Sequence, residues 1–373
     1  MQPLLRKEVF PLIDPALLSG FGFPGTLTDV SEIRTGHINR TYRLTFRQPD
    51  RRYLLQRINT FAFHRPEEVM ENVMLVTEHL RRALIARGLD PEGRVLRVIP
   101  SREGRPLVYD AQGGAWRAYD FIEHAHSVNA VENPAQFREV GRGFGDFQSM
   151  LSDFPIERLH DTIPHFHDTP QRVRNFEASV ERDVKRRAAG AAAEIAFALK
   201  RGEAMGEIVR MLDCGALPLR VTHNDTKCNN VMVDDATGEA LCVVDLDTVM
   251  AGSALYDFGD AIRFGASTAA EDERDLSKVR LDMALFTAFS EGFIGQTARG
   301  LTRTELEGLA LGALVMTYEV GLRFLTDYLD GDVYFHTDAP DHNLIRARAQ
   351  FKLLADMEAH RGEMESVVRR LIP

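Results

Sequence analysis

Residues 219–247 read LRVTHNDTKCNNVMVDDATGEALCVVDLD, and the fold is decided here. Val221 ends a short apolar run, and His223-Asn224-Asp225 follows where a strand gives way to a loop. Val231, Met232 and Val233 predict a short strand, residues 234–238 a turn and residues 241–244 the returning strand, because apolar runs bounded by Asp and Gly punctuate a hairpin. Such a hairpin carries Asp225, Asn230, Asp245 and Asp247 toward one point. A surface hairpin with ordinary solvated aspartates is the competing reading. It suits any one of these residues better than it suits the full combination.

His223, Asp225 and Asn230 keep the spacing of H-R-D-x-x-x-x-N, the catalytic loop in which Asp receives a hydroxyl proton and Asn holds metal, with Asn224 in the place of Arg. Mg²⁺ prefers hard oxygen ligands and bridges nucleotide phosphates, so such a site needs a second carboxylate on the next hairpin. Asp245, closing the Val243-Val244 run, fits that role. Asp257-Phe258-Gly259 spells another kinase triplet but opens what reads as a helix, not the end of a buried strand. Asp257 is therefore read as a structural carboxylate that caps backbone donors or braces the catalytic turn.

With 373 residues, 44% of them hydrophobic, the chain is long enough for two lobes. A net charge of -10 without a basic tail argues against nonspecific binding to nucleic acid or an anionic membrane. Cys214, Cys228 and Cys242 have no paired spacing, so neither zinc nor disulfides are expected, and a reducing, cytoplasmic setting follows. Cys228 reads as a packing residue, since no His-Cys arrangement supports thiolate chemistry. No run of about 18 apolar residues and no leader-like amino terminus is present, so neither export nor membrane spanning is expected.

In chain order, residues 1–24 read as an extension interrupted by Pro11, Pro15 and Pro24, followed by strands at 32–38, 41–46 and 53–58. A helix over 66–87 carries Val69, Val73, Val76, Leu80 and Leu84 on one stripe and stops at Gly88. Further strands fall at 95–99, 107–109 and 115–122. The last leads into a hinge near Glu123 whose backbone could pair with an adenine edge, which makes Phe121 and Ile122 nucleotide candidates. Beyond this the chain turns helical, with Phe137, Val140, Phe144, Phe147 and Leu151 as a core stripe, a charged helix over 180–200, a capping box at Thr302 and Glu305 opening a helix through Leu329, and a final helix from about Asn343. His160, His165 and His167 lack the partners of a metal site. The pattern gives an α+β, two-lobed, protein-kinase-like fold: an antiparallel-sheet lobe with one main helix at 1–123 and a mostly helical lobe at 124–373.

These residues resemble the N-acetylhexosamine 1-kinases of the aminoglycoside phosphotransferase and choline kinase superfamily. The likeness covers nearly the whole chain, from Gly36-His37-Ile38-Asn39 through Gly114-Ala115-Trp116-Arg117 to Gly321-Leu322-Arg323-Phe324, and its most specific pieces are residues 221–227 and 244–248. The resemblance implies ATP- and Mg²⁺-dependent transfer of a phosphoryl group to the anomeric hydroxyl of N-acetylglucosamine or N-acetylgalactosamine. It implies Asp225 as the base or hydroxyl-orienting residue and Asn230 with Asp245 as metal ligands. It further implies that Asp247, Thr248, Arg323 and Tyr334 fall on or beside positions that line the sugar pocket in such enzymes, and that His37 is a substrate-binding residue in the loop over the phosphates and sugar.

Two departures from the wider kinase pattern matter. The loop Gly36-His37-Ile38-Asn39 has one glycine where kinases have a series, and the strand ending Gln56-Arg57 lacks the usual lysine. Gly36, Asn39, Gln56 and Arg57 are the nucleotide-side candidates, with phosphate neutralisation falling on Arg57 or on metal alone. The partner glutamate among Glu67, Glu68 and Glu71 stays open against a solvated helix face. Arg323 near the core boundary wants a partner, either a sugar group or Asp327 one turn along. The alternative is a kinase of the same fold acting on an amino alcohol, an aminoglycoside or another sugar; a metal hydrolase and a silent binding module are further rivals. Small-molecule sugar and nucleotide are the implied partners, with no obligate protein partner.

Overall fold

The computed structural model describes residues 13–33 and 39–373. Contacts divide the chain into two units: residues Met1–Ala125, Arg158–Ile163 and Cys242–Thr248 form the first, and His126–Glu157, Pro164–Leu241 and Val249–Pro373 the second.

The first unit opens with α1 (Pro15–Gly20), capped by Asp14 accepting from Ala16 N. Strands β1 (Thr26–Ile33), β2 (Arg40–Arg47) and β3 (Arg51–Arg57) follow, then α2 (Pro66–Ala86), β4 (Val98–Ile99), β5 (Val108–Tyr109) and β6 (Ala115–Asp120). The strands make one antiparallel sheet in the order β1-β2-β3-β6-β4, with β5 on β6. Successive strand residues face opposite ways. Tyr42, Leu44, Phe46, Tyr53, Leu55, Trp116 and Ala118 therefore share one face, where they pack with Ile13, Leu17 and Phe21. Thr41, Gln56 and Arg117 alternate with them on the other. The first strand begins at Thr26, earlier than the pattern predicts, because Leu27 and Val30 pack against the same core across a register shift between Leu27 and Asp29. Helix α2 buries the expected stripe, and Gly88 turns the chain at φ +75°.

The second unit holds β7 (Ala125–Ser127), α3 (Pro134–Met150), α4 (Thr169–Arg182), α5 (Ala192–Met205), α6 (Glu207–Asp213), β8 (Arg220–Thr222) and β9 (Val231–Asp234). After β10 (Ala240–Val243), whose last two residues count with the first unit, come β11 (Met250–Gly252), α7 (Ala254–Gly265), α8 (Met283–Thr297), α9 (Arg303–Asp330), α10 (His342–Ala359) and α11 (Arg361–Leu371). The predicted helix over 180–200 is two helices. Asp183 takes a left-handed φ of 34° at the end of α4, and its Oδ1 accepts from Arg187 N and Ala188 N, which redirects the chain. The final helix likewise breaks at His360 into α10 and α11. The Thr302/Glu305 capping box and Gly331, at φ 105°, bound α9 as predicted. This helix alone among those described is long and apolar enough to cross a membrane, and 83% of the relevant window is buried within the protein, as in a core helix.

Backbones come close where the site is supported. A Cβ on Gly259 of α7 would lie 2.2 Å from Gly312 O of α9, and one on Gly312 the same distance from Leu255 O, so only glycine permits this packing. The pairing seats α7, and with it Asp257, against the longest helix.

Candidate active site

In the second unit, β8 pairs antiparallel with β11 and ends at Thr222, whose hydroxyl donates to Met250 O at 3.0 Å. The loop leaving β8 is held from inside. His223 is fully buried, edge-on to the rings of Phe144 and Phe147, so it packs the turn against α3. Asn224 sits at φ 63°, a left-handed conformation that Asn tolerates better than most residues. Asp257 Oδ2 accepts from His223 N and Oδ1 from Asn224 N, both at 2.8 Å. Asp257 is thus the brace its position predicted, at the first turn of α7. Burial drives its pKa up to about 6, against the pull of His223 and the two N–H donors. One turn on, Asp260 accepts from Thr226 N at 3.1 Å and is held by buried Arg263, which also pairs with Glu271 at 2.7 Å.

This frame presents Asp225. Its Oδ1 lies 3.2 Å from Lys227 Nζ, and Asn230 Nδ2 donates to its carbonyl at 2.8 Å and its Oδ2 at 3.3 Å. Burial alone would raise the carboxyl, but Lys227, then His223 and Arg263, outweigh it and lower the pKa below the ordinary range. Asp225 is an ionised carboxylate fixed at one end of a rigid loop, and its amide neighbour is turned by that same carboxylate. Lys227 carries this electrostatic work although the sequence reading gave it no role; its place two residues after the aspartate was the available signal. Cys228 is buried and its thiol is pushed up to about 12, so it is a packing residue.

A second cluster in the same unit holds Arg323 and Tyr334. The Arg323 guanidinium lies 5.5 Å from the Phe166 ring, 5.7 Å from Tyr334 and 5.4 Å from Phe335. Asp327 does not pair with it. That carboxylate accepts from Val333 N at 2.9 Å, Tyr334 N at 2.8 Å and Phe335 N at 3.0 Å, and from Asn343 Nδ2 at 2.9 Å, pinning the loop that carries the two rings. Beside it, Arg172 reaches Glu319 at 3.2 Å, and Glu319 also binds His167 Nδ1 at 2.8 Å and Thr169 Oγ1 at 2.7 Å. Burial raises the Glu319 carboxyl, but His167 and Arg172 overcome it and bring it to about 2. Arg323 and Arg172 stand near enough to repel one another, and the carboxylate that Arg172 approaches is shared with His167 and Thr169.

In the first unit, Asp245 takes a left-handed φ of 61°, and Leu246–Thr248 forms a single buried turn. Asp247 is buried against Arg117, whose guanidinium binds Oδ1, while Asn39 Nδ2 donates to Oδ2 at 2.7 Å. Arg117 Nε donates to Gln56 Oε1 at 3.0 Å and Gln56 Nε2 to Thr41 Oγ1 at 3.0 Å. Burial opposes the Arg117 charge, but Asp247, Tyr119 and Asp245 more than offset it and its pKa rises. Asn39, Gln56 and Asp247 are thus brought together through an arginine the sequence reading passed over. Its signal was a charge inside the apolar run Ala115-Trp116-Arg117-Ala118-Tyr119.

Other candidates lie elsewhere. Arg57 turns to Asp110 at 3.8 Å, away from the Gln56 network. Phe121 stacks under Arg52, 4.5 Å from its guanidinium, and with Ile122 lines a cleft of about 700 Å³ beside Thr77 and Arg97. Among the described residues Glu67, Glu68 and Glu71 of α2 pair with no strand cation: Glu67 binds Tyr109 Oη, Glu68 binds Arg65 at 2.8 Å and Glu71 binds His160 at 2.6 Å. Thr248 is buried. Gly36 and His37 lie outside the described residues.

The sequence profile described as "APH: Phosphotransferase enzyme family" matches residues 29–286. Among solved structures, an aminoglycoside phosphotransferase from Alicyclobacillus acidocaldarius is similar at a TM-score of 0.55 and 14% identity, covering 99% of each chain. Ethanolamine kinase of Plasmodium vivax matches at 0.53 and 13%, over 91% of this chain and 84% of that one. Choline kinase of Cryptosporidium parvum matches at 0.53 and 13%, over 92% and 91%.

Proposed function

Because this chain belongs to the phosphotransferase enzyme family, we propose that it transfers a phosphoryl group from ATP to the anomeric hydroxyl of an N-acetylhexosamine, giving the sugar 1-phosphate. The observation that carries the choice of acceptor is Arg323, a cation facing three aromatic rings, with Asp327, one turn along its helix, spent on backbone donors. A cationic acceptor, of the kind named for the ethanolamine and choline kinases, favours carboxylates and is repelled by Arg323 and Arg172. A neutral sugar with an amide carbonyl is suited to a planar donor fork above aromatic surface.

In this reading Asp225 orients the acceptor hydroxyl and takes its proton. An anomeric hydroxyl is more acidic than an ordinary alcohol, so a carboxylate with a depressed pKa suffices. Positioning and charge neutralisation, more than covalent chemistry, supply the rate.

Among the described residues no group of three or more His, Cys, Asp or Glu could hold a metal ion. Nucleotide-bound Mg²⁺ does not require one, since it takes one or two protein oxygens together with phosphates and water. The Asn230 amide nitrogen is engaged by Asp225, which leaves Oδ1 as a hard oxygen donor. Asp245 supplies the carboxylate in this assignment. When bound, the ion neutralises charge on the transferring phosphoryl group.

The test supplies ATP and Mg²⁺ with a panel of N-acetylglucosamine, N-acetylgalactosamine, other sugars, choline, ethanolamine and an aminoglycoside. Loss of reducing ends in step with ADP release on the N-acetylhexosamines supports the proposal. ADP release with reducing ends intact moves the acceptor to another hydroxyl. Turnover confined to the amines establishes the alternative, a kinase of this fold acting on another small hydroxylated substrate.

A further inference from the structure

Kinases place a lysine on the third strand, paired with a helix glutamate, to handle the nucleotide phosphates. Here β3 offers Gln56 near that place, and Glu67, Glu68 and Glu71 on the following helix pair with Tyr109, Arg65 and His160. The cation is not lost from this part of the sheet. In the β3–β6 register Gln56 stands opposite Arg117, and its Oε1 accepts from Arg117 Nε at 3.0 Å. The Arg117 side chain is 1% exposed and that of Asp247 3%, so both charges are out of water. A buried pair of this kind is a weak source of stability, because desolvation takes back most of the Coulombic gain. Its geometry is nonetheless fully specified. Gln56 fixes Nε, Asp247 takes Nη1, and Asn39 completes the Asp247 carboxylate at 2.7 Å while its own Oδ1 accepts from Asn59 N at 3.0 Å. Asp247 is two residues beyond Asp245, whose left-handed backbone has to be held by its surroundings.

We propose that Arg117 is a positioning residue, the cation that replaces the missing strand lysine: through Asp247 it fixes the turn carrying Asp245 for the metal–nucleotide complex. The proposal rests on the reading of Asp245 as a metal ligand. Its charge pattern differs from the kinase one in a checkable way. The cation is tied to the carboxylate of the turn that carries Asp245 and not to a helix glutamate, its contact with α2 being Met70 Sδ at 3.8 Å, so its loss should appear in metal-dependent nucleotide binding.

The experiment titrates ADP into the protein with and without Mg²⁺, read by calorimetry and by fluorescence of Trp116, the single tryptophan and the neighbour of Arg117. Arg117→Gln should weaken ADP binding in the presence of Mg²⁺ by about tenfold to a hundredfold, the usual cost of losing an outer-shell partner. Without Mg²⁺ the change should stay under about twofold, a split that loss of packing alone does not produce. An unchanged or tighter Mg²⁺-dependent affinity in folded Arg117→Gln overturns the proposal. If that variant does not fold, Arg117→Lys carries the same test, since it keeps the charge beside Asp247 and loses the fork that Gln56 orients. Wild-type ADP binding that is indifferent to Mg²⁺ would instead reject the metal assignment beneath it.

Discussion

Asp257 and Asn224 are joined by a 2.8 Å hydrogen bond from a left-handed backbone N–H to a buried carboxylate. The other oxygen of the same carboxylate takes His223 N at the same distance. The turn that aims Asp225 is therefore set by a residue 33 positions later in the chain.

Because burial holds Asp257 at about 6, protonation removes one of its two acceptors within an accessible range. Turnover should fall as pH drops through about 6. The stability contribution of this group runs the other way. Its folded pKa is raised, so the term favours folding below the unfolded carboxyl value and is lost as pH rises through about 6. Asp257→Asn, which offers one acceptor and one misplaced donor, should be slow at every pH, destabilised by about 1–3 kcal/mol and without this acid limb. A pH profile of kcat alongside thermal unfolding checks both signs; an unchanged acid limb in the variant would reject the assignment.

Asp225→Ala should lower turnover by about 10²- to 10⁴-fold with the fold intact, the usual worth of a positioned acid–base group. Lys227→Met tests the field around it. Lys227 is the largest influence opposing burial, so its removal lets the Asp225 carboxyl rise and moves the acid limb of kcat/KM upward. Near-normal turnover in the first variant, or an unmoved limb in the second, removes these roles.

Sequence and structure agree where the controlling interactions are local or spaced by a motif. Helix α9 begins and ends where Thr302, Glu305 and Gly331 place it, and the His223–Asn230 spacing sets the loop that Asp257 braces. The reading missed interactions that depend on pairing across the sheet. Arg117 meets Gln56 only because β3 and β6 pair in one particular register, 61 positions apart in the chain. Nor does local sequence announce the break after Arg182. No glycine or proline stands beside it, and it follows from Asp183 turning left-handed and accepting from the backbone N–H groups of Arg187 and Ala188.

Glu319 predicts a stability effect without a catalytic one at its origin. The carboxylate is fully buried and holds His167, Thr169 and Arg172. Its folded pKa, about 2, lies below the unfolded value, so its contribution is present above about pH 4 and is lost as pH falls toward 2. Glu319→Gln should cost about 3–5 kcal/mol at neutral pH, the range for breaking one side of a buried charge pair. Urea unfolding at neutral and acid pH should show the deficit shrinking as the wild type takes up its proton; a constant difference would remove the ionic explanation.

In the proposed function Arg323 decides the acceptor. Its guanidinium faces Phe166, Tyr334 and Phe335, and Asp327 holds the loop bearing two of those rings without neutralising the charge. A charged hydrogen bond to a sugar carbonyl or hydroxyl is worth about 1.5–3 kcal/mol, which is about tenfold to a hundredfold in binding. Arg323→Gln should therefore raise the sugar KM by that factor and leave the nucleotide KM within about twofold. Asp327→Ala should act on the same parameter by releasing the Val333–Phe335 backbone, with a loss of stability that Arg323→Gln does not share. If Arg323→Gln left sugar KM unchanged, or improved turnover of choline or an aminoglycoside at the sugar's expense, the charge would be serving to exclude cations and not to grip the acceptor. The two results separate on one plate of steady-state assays, because grip changes the preferred substrate and exclusion changes the rejected one.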